Sequence, residues 1–260
     1  MLLRLLSAMQ QPERLGAILE RLSVDGSVNV VEIARALDVS AATVRRDLRL
    51  LEDQRLLERT HGGAVSHGVT YELPLRYKST RQPEQKRRIA HEAASRVLEG
   101  WAIGLTGGTT TTEVARALVD RPRLTVVTNA LNIAAEIAVR PNLKLVVTGG
   151  VARAESYELV GPIAEASLEG LNLDMAFLSV DGISPRAGLT THHEVEATTD
   201  RALLARAEQV VVVADSSKLG QVAFARICEL AEVTEIITDE EADPAAVAAI
   251  EDGGVRVTIV

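Results

Sequence analysis

The chain has 260 residues, room for one large domain or two smaller ones, and 47% of them are hydrophobic but only 2% aromatic, so its core must be built from Leu, Val, Ile and Ala. A single cysteine, Cys228, excludes an internal disulfide and any cysteine-based metal cluster, and no apolar run reaches the roughly 18 residues of a membrane helix. The formal net charge of −8 argues against the whole chain as a nucleic-acid binder, yet residues 1–70 hold nine basic and nine acidic residues while the remainder holds 19 and 27, which leaves room for a basic face in the neutral first part.

The opening "MLLRLLSAM" is interrupted by Arg4 and lacks a small-residue cleavage site, so it reads as an amphipathic N-terminal extension of a cytoplasmic protein rather than a signal peptide. From Glu13 to Leu57 the spacing is helical. Leu15, Ile18, Leu19 and Leu22 form one stripe, with Pro12 to open the helix and Gly26 to close it. A second helix fits Val31 to Leu37, with Ile33, Ala34 and Leu37 inward. "DVS" is a tight connector, and Ser40 caps a third helix whose Val44, Leu48 and Leu51 share a face. Ala42, Arg46 and Arg49 lie opposite that face, flanked by Thr43 and Arg45. "RLLERTHGGAV" then reads as two short strands joined at Gly62-Gly63.

Three short helices and a hairpin make a winged helix-turn-helix, an α+β unit that meets double-stranded DNA. Its expected contacts are Ser40, Ala42, Thr43, Arg45, Arg46 and Arg49 on the third helix, with Arg59, His61, Gly62 and Gly63 on the wing. Small residues let the backbone approach, and arginines contact phosphates or guanine edges. The plainer alternative is a solvated basic face on an ordinary helical bundle.

Residues 67–85, with Pro74, Pro83 and "KSTRQ", read as a linker between a DNA-binding domain over 1–66 and a second domain over 86–260. A helix over 84–98 leads into that domain. Seven apolar runs follow: "WAIGLT", "LTVVT", "LKLVVT", "DMAFLSV", "QVVVVAD", "TEIIT" and "VRVTIV". Helical segments near 110–119, 129–139, 162–170, 194–207 and 243–251 alternate with them, which predicts an α/β fold on a mostly parallel sheet.

Ligands of such sheets sit beyond the carboxyl ends of the strands, and here those ends carry similar chemistry. Thr106, Gly107, Gly108, Thr109, Thr110 and Thr111 follow the first run, Asn129 the second, Gly149, Gly150 and Arg153 the third, Asp181 the fourth and Lys218 the fifth. Glycine backbone, threonine hydroxyls and a helix N-terminus suit an anion. Alone, the Gly/Thr loop is equally a plain strand-to-helix turn; its recurrence at several strand ends favours a phosphorylated, polyhydroxylated ligand. Neither the Walker pattern nor GxGxxG is present, so nucleotide hydrolysis is unsupported and no cofactor is expected. Asp181, Glu194, Glu196 and Lys218 are either acid/base groups or hydrogen-bond partners for hydroxyls, and Arg153 is either a phosphate contact or a surface arginine. His192-His193 has no further ligand at metal-binding spacing.

"VSAATVRRDLRLLE" with "RTHGGAV", "LTGGTTTTEVARAL" with "VVTNALNIAAEI", and "VDGIS…GLTT…EVEATTDRAL…VVVADSSKLG" together resemble the DeoR family of bacterial sugar-responsive regulators, over roughly residues 12 to 240. The resemblance implies a sensor domain similar to ribose-5-phosphate isomerase. It also implies a homodimeric or homotetrameric repressor of carbohydrate genes, with no catalytic residues, that leaves operator DNA on binding a sugar phosphate. It places Thr43, Arg45, Arg46 and Asp47 in the recognition motif, Gly108, Thr109, Thr110 and Asn129 around the effector phosphate, and Asp181, Glu196 and Lys218 at polar positions of the isomerase-like fold. Two positions depart from the family pattern. Arg55 stands where glycine is common, and Asp200 where lysine is frequent, which implies a reversed charge beside the pocket and a monophosphate over a bisphosphate. The competing expectations are an isomerase fused to a DNA-binding domain, with Glu196 as base, and a DNA-binding protein that takes no ligand.

Overall fold

Helix α1 (Gln11–Asp25) begins beside Pro12, whose missing N–H belongs to a group unbonded in any first turn, and ends at Gly26, where φ is +69°. Strand β1 (Ser27–Asn29) leads into α2 (Val30–Ala36), capped by the Asn29 side chain on Val31 N at 2.8 Å. Helix α3 (Ala41–Asp53) is capped by Ser40 Oγ on Thr43 N at 3.1 Å. The computed structural model describes residues 9–66 and 72–260, and it divides the chain into two units, Met1–Arg81 and Gln82–Val260. The amphipathic extension expected at the N-terminus falls almost wholly on residues 1–8, outside the described residues.

The first unit closes on Leu15, Ile18, Leu19, Leu22, Ile33, Val44, Leu48, Leu51 and Leu57. Its wing consists of β2 (Glu58–Arg59) and β3 (Gly63–Val65), and a third strand joins it: β1 pairs antiparallel with β3, giving the order β1-β3-β2. Gly63 is required by that pairing, because a Cβ there would lie 1.7 Å from Val28 O. Within the segment expected as linker, residues 67–71 lie outside the described residues. Leu73 and Tyr77 pack on the core of the first unit, the latter from the short helix α4 (Leu75–Lys78), and Tyr77 Oη donates to Gln54 at 2.6 Å. Residue 83 already opens α5 (Pro83–Ser95).

The second unit runs β4 (Ala102–Leu105), α6 (Thr109–Ala117), β5 (Thr125–Thr128), α7 (Leu131–Ile137), β6 (Lys144–Val147), the hairpin β7 (Val151–Ala152) and β8 (Leu159–Val160), α8 (Pro162–Leu168) and β9 (Leu173–Leu178). It continues through β10 (Gly182–Ser184), β11 (Gly188–Thr191), α9 (Glu194–Leu204), β12 (Ala207–Val213), β13 (Ala225–Cys228), β14 (Glu235–Thr238), α10 (Pro244–Glu251) and β15 (Arg256–Ile259). Seven of these strands form one wholly parallel sheet, ordered β15-β14-β12-β9-β4-β5-β6. Each coincides with one of the seven apolar runs. In the central strands the runs are continuous because both faces are buried: Met175, Phe177, Val211 and Val213 pack on one side, Ala176, Leu178, Val210 and Val212 on the other. The β7–β8 hairpin and the small antiparallel sheet β10-β11-β13 carried no such pattern and were not expected.

From β4 the chain builds β5 and β6 to one side, then crosses back to place β9 on the other. The reversal therefore falls between β4 and β9, where an open parallel sheet leaves a crevice at its carboxyl edge. At the opposite edge, Glu235 is clamped by Arg96 at 2.9 Å, Arg256 at 2.7 Å and Thr258 at 2.6 Å. Burial pushes this carboxyl up, but the hydrogen bonds from Arg96 and Thr258 outweigh burial and hold it below its ordinary range.

Candidate functional site

On α3 the inward stripe of Val44, Leu48 and Leu51 forces the intervening arginines outward. Arg45, Arg46 and Arg49 are exposed, with Ala42 and Ser40 exposed at the helix start, and none of the three arginines forms an ion pair among the described residues. Asp47, a member of the same motif, turns the other way. It is 0% exposed and receives Arg14 Nε at 2.5 Å, Arg14 Nη2 at 3.1 Å and Gln11 Nε2 at 3.4 Å. The hydrogen bond to Asp47 raises Arg14 above its ordinary value, so this pair is a strut between α1 and α3.

The wing is less free than the sequence implied. Arg59 Nη1 lies 3.2 Å from Glu52 Oε2, its backbone N donates to the same carboxylate, and Gly63 is buried against β1; His61 and Gly62 remain exposed at the tip. Arg55 takes φ +59° just after α3. A left-handed backbone favours glycine, which is the residue the family pattern has there.

In the second unit the reversal point is tightly built. Thr106 N donates to Phe177 O at 3.2 Å and Ser179 N to Thr106 Oγ1 at 3.2 Å, tying the ends of β4 and β9 together. Gly108 has φ +128° and precedes α6 without a side-chain cap. Thr111 Oγ1 and Thr112 Oγ1 both donate back to Gly108 O, at 3.1 and 2.6 Å. Those two hydroxyls hold the loop, which corrects the expected role of the Thr111 hydroxyl as a ligand donor. The donors that remain are the first-turn backbone N–H groups, which no α-helix satisfies internally, and the hydroxyls of Thr109 and Thr110.

Gly107 is covered. A Cβ on it would lie 2.0 Å from Glu158 Oε1, and Glu158 also receives Asn129 Nδ2 at 3.2 Å. Glu158 was not singled out from sequence; it sits on β7–β8 loop residues far from the Gly/Thr run, and nothing local marks it. Gly149 and Gly150 serve packing: Gly149 N donates to Ser167 Oγ at 3.0 Å, and a Cβ on Gly150 would meet the backbone of Val160 at 2.9 Å.

Around this point gather Asp181, Glu196, Asp200, Arg153 and Lys218. Arg153 Nη1 is paired with Glu196, and Arg153 Nη2 lies 3.6 Å from Glu155. Lys218 Nζ lies 3.6 Å from Asp181 Oδ1, and Thr191 Oγ1 bridges Asp181 Oδ2 at 3.2 Å and Glu196 Oε2 at 3.3 Å. Glu194 is exposed and outside the cluster, while His193 caps α9 by accepting from Val195 N at 3.2 Å. Asp200 is 4% exposed. Burial, then the Glu196 charge, pushes it well above the ordinary carboxylate range, with Asn129 opposing and Asp181 adding to the rise. Burial among carboxylates thus works against the reversed charge expected there from sequence. Asp200 Oδ1 and Asn129 Oδ1 are both buried without a hydrogen-bond partner among the described residues.

Two family models match the chain: a DeoR-like helix-turn-helix domain over residues 14–69 and a DeoR C-terminal sensor domain over residues 81–240. An uncharacterized HTH-type transcriptional regulator of Bacillus subtilis, YulB, is 37% identical, covering 95% of this chain and 96% of its own length. The glycerol-3-phosphate regulon repressor of Escherichia coli is 31% identical, covering 89% and 92%. A ribose 5-phosphate isomerase A from Methanocaldococcus jannaschii superposes with a TM-score of 0.39 at 22% identity, over 52% of this chain and 54% of that one.

Proposed function

The chain belongs to the DeoR family of helix-turn-helix transcriptional regulators, and we propose that it is a repressor of carbohydrate-metabolism genes, released from double-stranded operator DNA by a phosphorylated sugar. The division of labour follows the two units, with the boundary near Arg81. In the first, α3 enters the major groove, so that Ser40, Ala42 and Thr43 approach the backbone and Arg45, Arg46 and Arg49 reach phosphates and base edges. His61 and Gly62 at the wing tip lie against the neighbouring phosphates. A second copy of the chain supplies the other half-site, as in most helix-turn-helix proteins.

In the second unit the effector phosphate sits on the backbone N–H groups of Thr109, Thr110 and Thr111. The observation that carries this reading is the N-terminus of α6, uncapped by any side chain and opening at the β4/β9 reversal. Backbone donors and the helix dipole need no lysine, so an acidic unit is no obstacle. Asn129, Asp181, Glu196 and Lys218 then face the sugar hydroxyls. The fused-isomerase alternative would need Glu196 free to shuttle a proton, whereas it is engaged by Arg153 and Thr191.

Gly108→Val is not a clean probe of the phosphate seat, since a Cβ at Gly108 would lie 2.4 Å from Ser179 Cβ. Thr109→Asp is better. An acidic first turn suits the helix by about 0.5 kcal/mol, while its charge repels a phosphate at the same place. The variant is expected to stay folded and DNA-bound and to ignore sugar phosphates. A variant that still releases DNA at wild-type effector concentration would remove α6 from the account.

A further inference from the structure

We propose that Gln82 is the joint through which a ligand at the first turn of α6 acts on α3; this rests on the phosphate seat proposed above and names the route by which that seat reaches the DNA-binding helix. From residue 72 on, the segment read from sequence as a linker is built into one unit or the other, save at Gln82. Up to Arg81 the first unit holds it. Arg76 Nη2 and Tyr77 Oη both donate to Gln54 Oε1, at 3.1 and 2.6 Å, and Gln54 is the C-terminal cap of α3. Arg81 Nη2 lies 2.8 Å from Glu20 Oε2 on α1. Gly16 lets α1 come close, since a Cβ there would stand 3.3 Å from Tyr77 O. From Pro83 on, the second unit holds the chain. α5 packs on α6, with Ile89, Ala90, Ala93 and Ala94 sharing a core with Val114 and Ala115, and Arg88 pairs with Glu240 at 2.9 Å.

Between these anchors Gln82 has φ +46° and ψ +49°, a left-handed backbone. Two things work against it. A residue with a Cβ is strained there, and a residue before proline prefers an extended backbone. Extended is also the ordinary conformation of a helix N-cap, which is the place Gln82 fills. Its carbonyl accepts Lys86 N at 3.1 Å, a bond that an extended N-cap makes as well, so α5 survives in either setting. Gln82 therefore has two discrete settings, left-handed and extended, and a change between them redirects the chain without unmaking either unit. That is the kind of element a coupling between sites requires. A phosphate that shifts α6 bears on α5, α5 bears on the joint, and the segment before the joint is fastened to the end of α3. A long flexible connection would transmit none of this.

The test is the ratio of DNA dissociation constants with and without saturating ligand, read on the full chain by fluorescence anisotropy with a duplex selected from a random-sequence pool. The probes are glucose 6-phosphate, galactose 6-phosphate, ribose 5-phosphate and glycerol 3-phosphate, and calorimetry follows their binding separately. Inserting Gly-Ser-Gly-Ser between Gln82 and Pro83 should leave probe affinity within about twofold of the wild type and bring the ratio down to about one. Gln82→Gly, which frees the joint to take other settings, should lower the ratio by about threefold or more, while Gln82→Asn, which tolerates a left-handed backbone, should keep it. Relief of strain alone would raise the melting temperature of the glycine variant and leave its ratio unchanged. An insertion variant whose ratio stays within about twofold of the wild type overturns the proposal, and so does a glycine variant with the ratio of the asparagine variant. Should the insertion variant fail to fold, the glycine and asparagine pair decides. If no probe binds the wild type or releases its DNA, the phosphate seat fails and the joint with it; if one does both, the variants judge the joint alone.

Discussion

Each unit buries a carboxylate, and the two are provided for in opposite ways. Asp47, in the first unit, is fully buried and answered by a two-pronged arginine from α1. Asp200, in the second, is almost as deeply buried but lies among other carboxylates with one oxygen unanswered. The first arrangement is complete within the chain, so it is structural. The second leaves an oxygen without a hydrogen-bond partner among the described residues, so it is not explained as a strut. Burial alone does not separate support from function; the state of the partner does.

The largest effect that this contrast predicts is on Asp47. Asp47→Ala leaves Arg14 enclosed without its counter-charge and should destabilise the first unit by about 3–5 kcal/mol, read as a lowered denaturation midpoint. A change below about 1 kcal/mol would break the distinction from that side. Arg46→Ala comes next. The side chain is exposed and holds up nothing, so the fold should persist by circular dichroism while DNA affinity falls by about 1–3 kcal/mol, read by gel shift.

Asp200→Asn should act in the opposite direction to Asp47→Ala. Because the folded state raises this carboxyl, its contribution is most favourable at acid pH and is lost as pH rises through the folded value. Asparagine does not titrate, so the variant should melt higher than the wild type near neutral pH and lose that advantage on acidification. Glu235 is the internal contrast in the same unit. Its folded value is depressed, so its contribution is present at neutral pH and lost as pH falls below the ordinary carboxylate range. The smallest expected effect is at Arg55, where glycine relieves a left-handed backbone at +59°; Arg55→Gly should stabilise the first unit by about 0.5–1 kcal/mol in chemical denaturation.

The same contrast explains what could be read in advance. Arg45, Arg46 and Arg49 belong to one helix, and their outward direction follows from the spacing of Val44, Leu48 and Leu51. The seven parallel strands were equally legible, because each is a short apolar run, buried on both faces in the central strands. Asp47 was not legible as a strut, since its partner lies 33 residues away and an acid beside two arginines looks like part of the same surface. Glu158 was invisible for the same reason: its place over Gly107 is created by the hairpin β7–β8, whose strands are two residues each. β1 is three residues long and becomes a strand only by pairing with β3. Local periodicity reveals what one element exposes or buries, while contacts between distant segments decide which buried polar groups are left for a ligand.

The central claim is that a phosphate on the first turn of α6 releases the DNA held by α3. Fluorescence anisotropy tests it on a labelled duplex that the chain selects from a random-sequence pool, titrated with sugar phosphates and with the same sugars lacking phosphate. The account predicts that at least one phosphorylated sugar dissociates the wild-type complex, that its unphosphorylated parent does not, and that the Thr109→Asp complex persists in both. Release by sugar and sugar phosphate at equal concentrations, or undiminished release from Thr109→Asp, would contradict it.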